Sequence, residues 1–239
     1  RRVDPSSGRR ACARMGGRYR RRPAQPALTR VAIPRPSVTI DVVFEVVGRE
    51  EELAAVAGFL DEPHDGPAAL VLEGDPGIGK STLWQSAVDA AQARGLVVLA
   101  SRPAEAERGL AHAALGDLLE QVADEALPRL SPPRRRALEV TLLRGEPDEP
   151  VDERALAVAV RDVLLLLAER GPLVVAIDDV QWLDVPTSRT LAFALRRLGE
   201  APVLLLLAQR VTGAGAAEPE PMRAVGAAER RQLCVGPLT

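Results

Sequence analysis

The stretch PAALVLEGDPGIGKSTLWQSAVDAAQARG, residues 67–95, decides the fold. It begins with a short β-type run at Ala69–Glu73, continues with a glycine-rich turn, and has helical composition to about Arg94. The turn GDPGIGKS (74–81) matches the pattern G-x-x-x-x-G-K-[ST] in full, and a preceding strand and a following helix are the context that this pattern requires. The sequence therefore predicts a phosphate-binding loop between a strand and a helix.

The residue types of this loop suit a polyphosphate. Glycines let backbone N–H groups turn inward, and the positive end of the following helix adds attraction for an anion. Lys80, the only lysine among 31 basic residues, would reach the β- and γ-phosphates, Ser81 would bind Mg²⁺, and Thr82 would lie near the α-phosphate. The predicted cofactor-binding residues here are Gly74, Asp75, Pro76, Gly77, Ile78, Gly79, Lys80, Ser81 and Thr82.

Two carboxylates follow another apolar run, LVVAID (173–178). Asp178 is the predicted partner of Mg²⁺, and Asp179 is placed to polarise an attacking water molecule. Two acids at the exit of an apolar strand are costly without a cation, which favours a metal site over solvated acids that cap the next turn. Because ligands gather at the carboxyl ends of parallel strands, we also expect Arg210, which ends a further apolar run, to contact the γ-phosphate. The predicted catalytic residues are Lys80, Asp179 and Arg210.

The octapeptides VLLLLAER (163–170) and VLLLLAQR (203–210) differ at one residue, yet their flanks predict different elements. The first closes segment 152–171, in which Asp152 can cap a helix and Gly171 can end it. The second follows GEAP (199–202) and has only six apolar residues, which is typical of a buried strand. Strands and helices alternate elsewhere too, which indicates a parallel sheet covered on both faces. The other predicted strands are 96–102, 173–178 and 231–236, the other predicted helices are 49–62, 109–127, 134–143 and 188–198, and 212–221 is a predicted flexible loop.

The composition indicates a globular protein with an uneven charge distribution. Hydrophobic residues make up 46%, which is enough for a core, and no apolar run reaches the roughly 18 residues of a membrane-spanning helix. Cys12 and Cys234 form no metal or redox spacing, so a reduced, cytoplasmic location is expected. Residues 1–40 carry a charge of +10 and the remainder −12. We expect residues 1–40 to be a disordered leader or non-native translated sequence. An arm that binds nucleic acid or an anionic surface, and a transit peptide, are the alternatives.

Four segments occur in an order and at spacings that are similar to a known family: VGRE (47–50), GDPGIGKST (74–82), VVAIDDVQWLD (174–184) and LLAQR (206–210). Together they resemble the AAA-type ATPase core of the STAND signalling ATPases. The likeness is to the large ATP-binding LuxR-type transcriptional regulators, the maltose-activator-like group, and covers about 45–239. The phosphate loop alone is shared by many families, whereas DDVQWLD combined with an upstream GRE is more discriminating.

The resemblance implies an α/β fold, the three-layer sandwich of the P-loop NTPases. Its parallel sheet would have the order 5-1-4-3-2, with the phosphate-loop strand central and helices on both faces. Two regions are expected: the arginine-rich leader at 1–40, and the ATPase core at 41–239. The core is expected to end before the lid, sensor and DNA-binding domains that full-length family members have.

The resemblance also implies roles for single residues. Lys80 and Ser81 match the Walker A residues, Asp178 and Asp179 the Walker B pair, and Arg210 the sensor-1 position. In addition, Val47, Gly48 and Arg49 match the segment that approaches the adenine and ribose, Trp182 is expected to pack, and Asp184 is expected to cap the next helix.

The function that the resemblance implies is an ATP-binding regulatory switch of a LuxR-type transcriptional regulator, with ATP and Mg²⁺ as ligands. ATP would favour an open, self-associating state and ADP a closed one, each by its differential affinity for the two states. DNA would be bound only through a C-terminal domain outside this chain, no membrane contact is expected, and hydrolysis of ATP is left open. Two alternatives stay open: an inactive, truncated fragment of such a regulator, and a small-molecule P-loop kinase. A kinase would need an acceptor base and phosphate-clamping arginines. Arg108 and Arg134–Arg136 are candidates for the arginines, but nothing near them in the sequence pairs with an obvious acceptor pocket, and such a trio is typical of a solvated face.

Overall fold

A computed structural model describes residues 48–145, 151–211 and 218–237 of the chain. Short 3-10 turns occur at 105–107, 120–122, 127–129, 180–182 and 227–229. The helices are α1 (Glu50–Asp61), α2 (Lys80–Ala93), α3 (Ala113–Leu119), α4 (Ala123–Ala126), α5 (Pro132–Thr141), α6 (Glu153–Ala168), α7 (Val185–Leu195) and α8 (Glu220–Arg223), and the strands are β1 (Ala68–Gly74), β2 (Val97–Ser101), β3 (Leu173–Ile177), β4 (Val203–Arg210) and β5 (Arg230–Cys234).

The five strands form one parallel sheet in the order β2-β3-β4-β1-β5. This is the predicted order 5-1-4-3-2 read from the other edge, so the P-loop NTPase fold is confirmed. Because β4 lies between β1 and β3, the chain leaving β4 emerges between the phosphate loop and the acidic pair after β3. The register places Gly74, the last residue of β1, beside Arg210, the last residue of β4.

Helices cover both faces of the sheet and create two hydrophobic cores. Alternate residues of β1, β3 and β4 point to opposite faces, so each strand contributes to both cores. One core packs α1 and α2 against the sheet, and the other packs α3 to α7 against the opposite face. The central strands are therefore apolar almost throughout, as expected for a parallel sheet that is buried on both sides.

The two octapeptides form the predicted different elements. The first lies mostly in α6, where the buried Val160, Val163, Leu164 and Leu167 line one helical face. Asp152 caps this helix, as predicted, by accepting hydrogen bonds from two backbone N–H groups at 2.9 and 3.0 Å. The second is β4, in which every residue from 203 to 209 is buried. Two nearly identical segments therefore form a helix and a strand because their flanking residues and their tertiary surroundings differ.

Several predicted boundaries were wrong by a few residues. The helix predicted at 188–198 is Val185–Leu195, because the capping carboxylate lies just before Val185. The helix predicted at 134–143 begins at Pro132, since proline fits the first turn, where its missing N–H costs nothing. The continuous helix predicted at 109–127 is two short helices joined by a 3-10 turn.

Two C-terminal segments also differ from prediction. The strand predicted at 231–236 is Arg230–Cys234. The predicted loop at 212–221 lies outside the described residues at 212–217 and is helical from Glu220. The predicted leader at 1–40, and Val47, also lie outside the described residues. In the part of the chain that the structure describes, none of the helices has the length and apolar character needed to cross a membrane.

Candidate functional site

The phosphate loop joins β1 to α2 in a shape that requires glycine at three positions. A Cβ on Gly74 would lie 2.6 Å from the carbonyl oxygen of Val235, which is a clash with backbone. Gly77 and Gly79 have φ angles of +79° and +102°, in the region that L side chains rarely adopt. Asp75 and Pro76 are exposed at the tip of the loop. The loop can therefore turn its backbone tightly over the start of α2.

The N-terminus of α2 supplies donors at the loop. The first N–H groups of a helix lack partners inside the helix, so those of Lys80, Ser81 and Thr82 are available to an anion. Gly77, Gly79 and these three residues line a cavity of about 190 Å³. Its size, donors and positive helix end suit a phosphate group.

Lys80 is buried, and its ammonium group lies against the loop that it follows. Its Nζ donates hydrogen bonds to the carbonyl oxygens of Gly74 at 2.9 Å and Asp75 at 2.8 Å. Burial lowers the pKa of Lys80, against the opposing attraction of Asp179 and, more weakly, Asp178. An ammonium group has three donors, so one remains for an anion in the cavity.

Trp84 fixes the position of α2 on the sheet. Its side chain is buried, and its indole N–H donates to the carbonyl oxygen of Leu206 in β4 at 3.3 Å. The Arg102 guanidinium carbon lies 4.8 Å from the ring centroid, within cation–π range. This packing holds the first turn of α2, and with it Lys80 and Ser81, at the carboxyl edge of the sheet.

Asp178 meets the first turn of α2 across the sheet edge. It is only 6% exposed, the Asp179 N–H donates to its Oδ1 at 2.9 Å, and the Ser81 side chain lies close enough to influence the pKa of its carboxyl group. Burial raises the pKa of Asp178, although the Ser81 side chain opposes the rise. The structure thus brings together the two residues that were predicted to bind magnesium.

Asp179 lies beside Asp178 but is held by different partners. Its φ of +46° is in the left-handed region, which aspartate tolerates better than most residues. Arg210 forms a bidentate ion pair with it through Nε at 3.1 Å and Nη2 at 2.8 Å, and Gln181 donates at 2.8 Å. Burial alone would raise the pKa of Asp179, but the hydrogen bonds from Arg210 and Gln181 outweigh it and hold the pKa below its usual range.

The Asp179–Arg210 ion pair stands between two cavities. It forms part of the wall of the 190 Å³ cavity at the phosphate loop and of a second cavity of about 330 Å³. The second cavity is lined by Asp178 and by the segment that follows β2, beginning with Arg102. Trp182 also contributes to its lining. A group entering the second cavity would reach both carboxylates, and the ion pair separates it from the loop.

Gly48 and Arg49 lie at the start of α1. Gly48 is exposed, with a φ of +76°, and its N–H donates to Glu50. The Arg49 side chain is only 6% exposed; its Nη1 donates to Glu52 at 2.8 Å, and its Nη2 donates to the carbonyl oxygen of Ile78 in the phosphate loop at 2.9 Å. Arg49 therefore reaches the loop itself.

The two other residues that were singled out in the DDVQWLD segment have structural contacts. Asp184 caps α7, as predicted: it is 2% exposed and accepts hydrogen bonds from the N–H groups of Thr187 at 2.8 Å and His112 at 2.9 Å. Trp182 is partly exposed, and the Arg210 guanidinium lies 6.0 Å from its ring centroid.

Reasoning from the sequence did not identify three residues that contact the predicted site residues or line the cavities: Arg102, Gln181 and Glu52. Arg102 directly follows β2 at the carboxyl edge of the sheet, so the rule that predicted Asp178 could also have found it. Gln181 had no such signal, because its contact with Asp179 depends on the local turn. Glu52 follows Arg49 by three residues on a helix, a spacing at which side chains meet.

A family model described as the AAA ATPase domain matches residues 45–206, more than half of the chain. The chain belongs to the AAA ATPase domain family. The match includes the glycine-rich loop, Asp178 and Asp179, and it ends just before Arg210. The AAA part of the resemblance is thereby confirmed.

The AAA ATPase domain is also similar to longer proteins. An uncharacterized protein of Rhizobium meliloti (strain 1021) is 29% identical over 191 residues, which are 69% of this chain and 18% of that protein. The solved structure of Aeropyrum pernix ORC2 shares 19% identity and a TM-score of 0.44, covering 79% of this chain and 48% of that one. AMPPCP-bound DnaA from Aquifex aeolicus shares 17% identity and a TM-score of 0.40, over 79% and 47%. The chain spans less than a fifth of the Rhizobium protein and about half of each structure.

Proposed function

We propose that this AAA ATPase domain binds ATP with Mg²⁺ at the carboxyl edge of β1, β4 and β3, as the switch of a larger signalling ATPase of the STAND type. One observation carries the proposal. The ammonium of Lys80, the hydroxyl of Ser81 and the carboxylates of Asp178 and Asp179 meet at one edge, beside a glycine-rich loop whose residues line a phosphate-sized cavity.

The donor set fits magnesium. Mg²⁺ in nucleotide sites uses one or two protein oxygens, several waters and the substrate phosphates. Ser81 and Asp178 offer such oxygens at one edge of the sheet, and burial of Asp178 makes a cation partner favourable. The described residues include no group of three or more His, Cys, Asp or Glu side chains suited to a metal, so phosphates would complete the coordination. When bound, the ion would neutralise charge on the β- and γ-phosphates.

The remaining residues of the site have distinct roles in this proposal. Lys80 and the N–H groups of the loop bind and orient the polyphosphate, and they stabilise charge that develops on its oxygens. Asp179 would orient water for attack on the γ-phosphate. Both of its oxygens are engaged by Arg210, and its pKa is low, which makes it a weak base in this arrangement.

Arg210 controls hydrolysis in this proposal, because it determines whether Asp179 is free to act on water. For hydrolysis, its guanidinium must leave Asp179, and the γ-phosphate is the anion that competes for it. A domain with this arrangement binds ATP readily and turns it over slowly, which suits a switch. The ATP state and the ADP state would then differ in whether Arg210 is drawn to the phosphate or to Asp179.

We also propose that the domain has a regulatory role. It is supported by the order of VGRE, the phosphate loop, DDVQWLD and LLAQR, which resembles LuxR-type ATP-binding regulators. We propose that the whole protein is cytoplasmic, self-associates in its ATP state and reaches DNA through another domain.

The test is isothermal titration of the chain with Mg²⁺–ATP, Mg²⁺–GTP and ATP with EDTA, alongside a phosphate-release assay. We expect ATP to bind, binding to weaken without Mg²⁺, and Asp178→Asn to lose the magnesium dependence. Release of phosphate at about one turnover per minute or less, the range of GTPases that act as switches, would fit a switch. Failure of the wild-type chain to bind any nucleoside triphosphate would refute the proposal, and transfer of phosphate to a metabolite in a panel would identify a kinase.

A further inference from the structure

We infer that Arg49 is a positioning residue that aims a backbone donor of the phosphate loop, and that it does not contact the adenine or ribose. This inference rests on the proposed function, because the donor in question serves the polyphosphate. It replaces the role that the family resemblance implied for Arg49.

The guanidinium of Arg49 already donates to two acceptors. Nη2 donates to the carbonyl oxygen of Ile78 at 2.9 Å, and Nη1 donates to Glu52 at 2.8 Å, in a side chain that is 6% exposed. Arginine presents its donors in a rigid plane, so holding two acceptors fixes the orientation of the whole group. A guanidinium that is buried and shared in this way has little freedom to reach a base or a sugar.

The contact with Ile78 determines where the next N–H points. The described peptide bonds are trans, so the carbonyl of Ile78 and the N–H of Gly79 point in opposite directions from one planar unit. Arg49 draws the carbonyl toward α1. The N–H of Gly79 must therefore face the opposite side, where Gly79 lines the phosphate cavity.

Arg49 restrains the carbonyl of this peptide unit itself, because the neighbouring hydrogen bonds, from the Ile78 N–H to Asp75 at 3.3 Å and from the Leu83 N–H to the Gly79 carbonyl oxygen at 3.1 Å, belong to the units on either side. Gly79 has a φ of +102° and open space where a Cβ would be, so no side chain of its own restrains it. Glycine has the widest choice of backbone conformations, and a loop built from it loses binding-competent geometry unless something outside holds it. Arg49 provides that restraint from 29 residues away.

The chain contains a matched control. Arg94, at the other end of α2, also bridges a carboxylate and a backbone carbonyl: it donates to Asp61 at 2.7 Å and to Ala90 at 3.0 Å. Like Arg49, it connects α1 to the segment formed by the loop and α2, but it lies far from the cavity. Arg94→Met therefore reports the effect of losing such a connection without disturbing the loop.

The experiment titrates wild type, Arg49→Met and Arg94→Met with ATP and with tripolyphosphate, which has neither base nor ribose. We expect Arg49→Met to weaken both ligands by the same factor, about 10-fold for one misaimed donor to a charged group, and Arg94→Met to leave both unchanged. If Arg49→Met weakens ATP alone, Arg49 acts on the nucleoside and the inference is wrong. It is equally wrong if neither affinity changes, or if Arg94→Met matches Arg49→Met.

A second measurement keeps the test independent of stability. In ¹⁵N NMR spectra of the ligand-free chain, the Gly79 amide shares its peptide unit with the carbonyl that Arg49 holds, so its resonance should move in Arg49→Lys, which retains the charge but not the planar fork. Gly95 serves as the reference. An unmoved Gly79 resonance overturns the inference, whereas a wild-type chain that binds neither ligand overturns the proposed function and this inference together.

Discussion

Replacing Lys80 with methionine tests the phosphate site most directly, because the two effects of the change have separate readouts. Two of the three donors on Nζ are used by the carbonyls of Gly74 and Asp75, so at least one is available to a phosphate oxygen. A charge-assisted hydrogen bond contributes about 1.5–3 kcal/mol. At about 1.4 kcal/mol per tenfold change, the Kd for ATP should rise by about 10- to 150-fold.

The fold itself should tolerate this change. Lys80 is 6% exposed, and burial disfavours its charged form, so an apolar side chain of similar length removes a cost. Each carbonyl that loses Nζ keeps a backbone donor: Val211 N–H on Gly74 at 3.2 Å, and Ile78 N–H on Asp75 at 3.3 Å. We expect the free energy of unfolding without nucleotide to stay within about 1 kcal/mol of wild type.

Calorimetric titration gives the Kd, and thermal unfolding with ATP gives an independent check. At 100 times the wild-type Kd, ATP should stabilise wild type by about 2.7 kcal/mol, and a variant with 100-fold weaker binding by about 0.4 kcal/mol. At about 2–4 °C per kcal/mol, the midpoints should rise by about 5–11 °C and about 1 °C respectively. Arg94→Met, which removes a cation from the far end of α2, should behave as wild type. Equal ATP affinity in wild type and Lys80→Met would show that the reasoning about this site is mistaken.

Three further predictions concern the framework of the site. Gly74→Ala should lower the free energy of unfolding by about 1–3 kcal/mol, because its Cβ would overlap a backbone oxygen, whereas Gly58→Ala, in open space within α1, should raise it by up to about 1 kcal/mol; urea denaturation of both variants checks this pair. Asp184→Ala should cost about 2–4 kcal/mol in the same assay, since it leaves buried N–H groups without an acceptor, and a loss below about 0.5 kcal/mol would contradict the capping role. The hydrogen bond from Arg49 lowers the pKa of Glu52, so the ionised carboxylate stabilises the fold above its unfolded pKa of about 4.3, and that contribution is lost as pH falls through the lowered value. The free energy of unfolding of wild type should therefore exceed that of Glu52→Gln most at neutral pH, and the difference should disappear in acid. A difference that is independent of pH would count against the ion pair.

Local signals predicted the framework of the fold well. The glycine-rich turn, its flanking strand and helix, and the acids after β3 could be identified because each depends on neighbours in the sequence. The octapeptide copies could be separated for the same reason, since Asp152 begins a helix before one and the GEAP turn precedes the other. Strand order did not follow from local pattern and came from the family resemblance, because which strands pair depends on distant parts of the chain.

The contacts within the site required the tertiary structure. Asp179 was predicted to polarise a water molecule and Arg210 to contact the γ-phosphate, but the sequence could not show that these two side chains pair with each other across 31 residues. Gln181 joins them only because the chain turns sharply at Asp179, with a positive φ. These partners are set by the spacing of the strand ends, which the register of β1, β3 and β4 fixes.

The sequence by itself determined that this chain forms a strand, a phosphate loop and a helix, and that carboxylates follow another strand, because backbone freedom at glycine and burial of apolar runs are local properties. Only the tertiary structure decided how the charged groups are shared. A guanidinium donates to whichever carboxylate or carbonyl oxygen the packed elements bring within about 3 Å. In this protein, Arg210 therefore pairs with Asp179, and Arg49 donates to the carbonyl oxygen of Ile78.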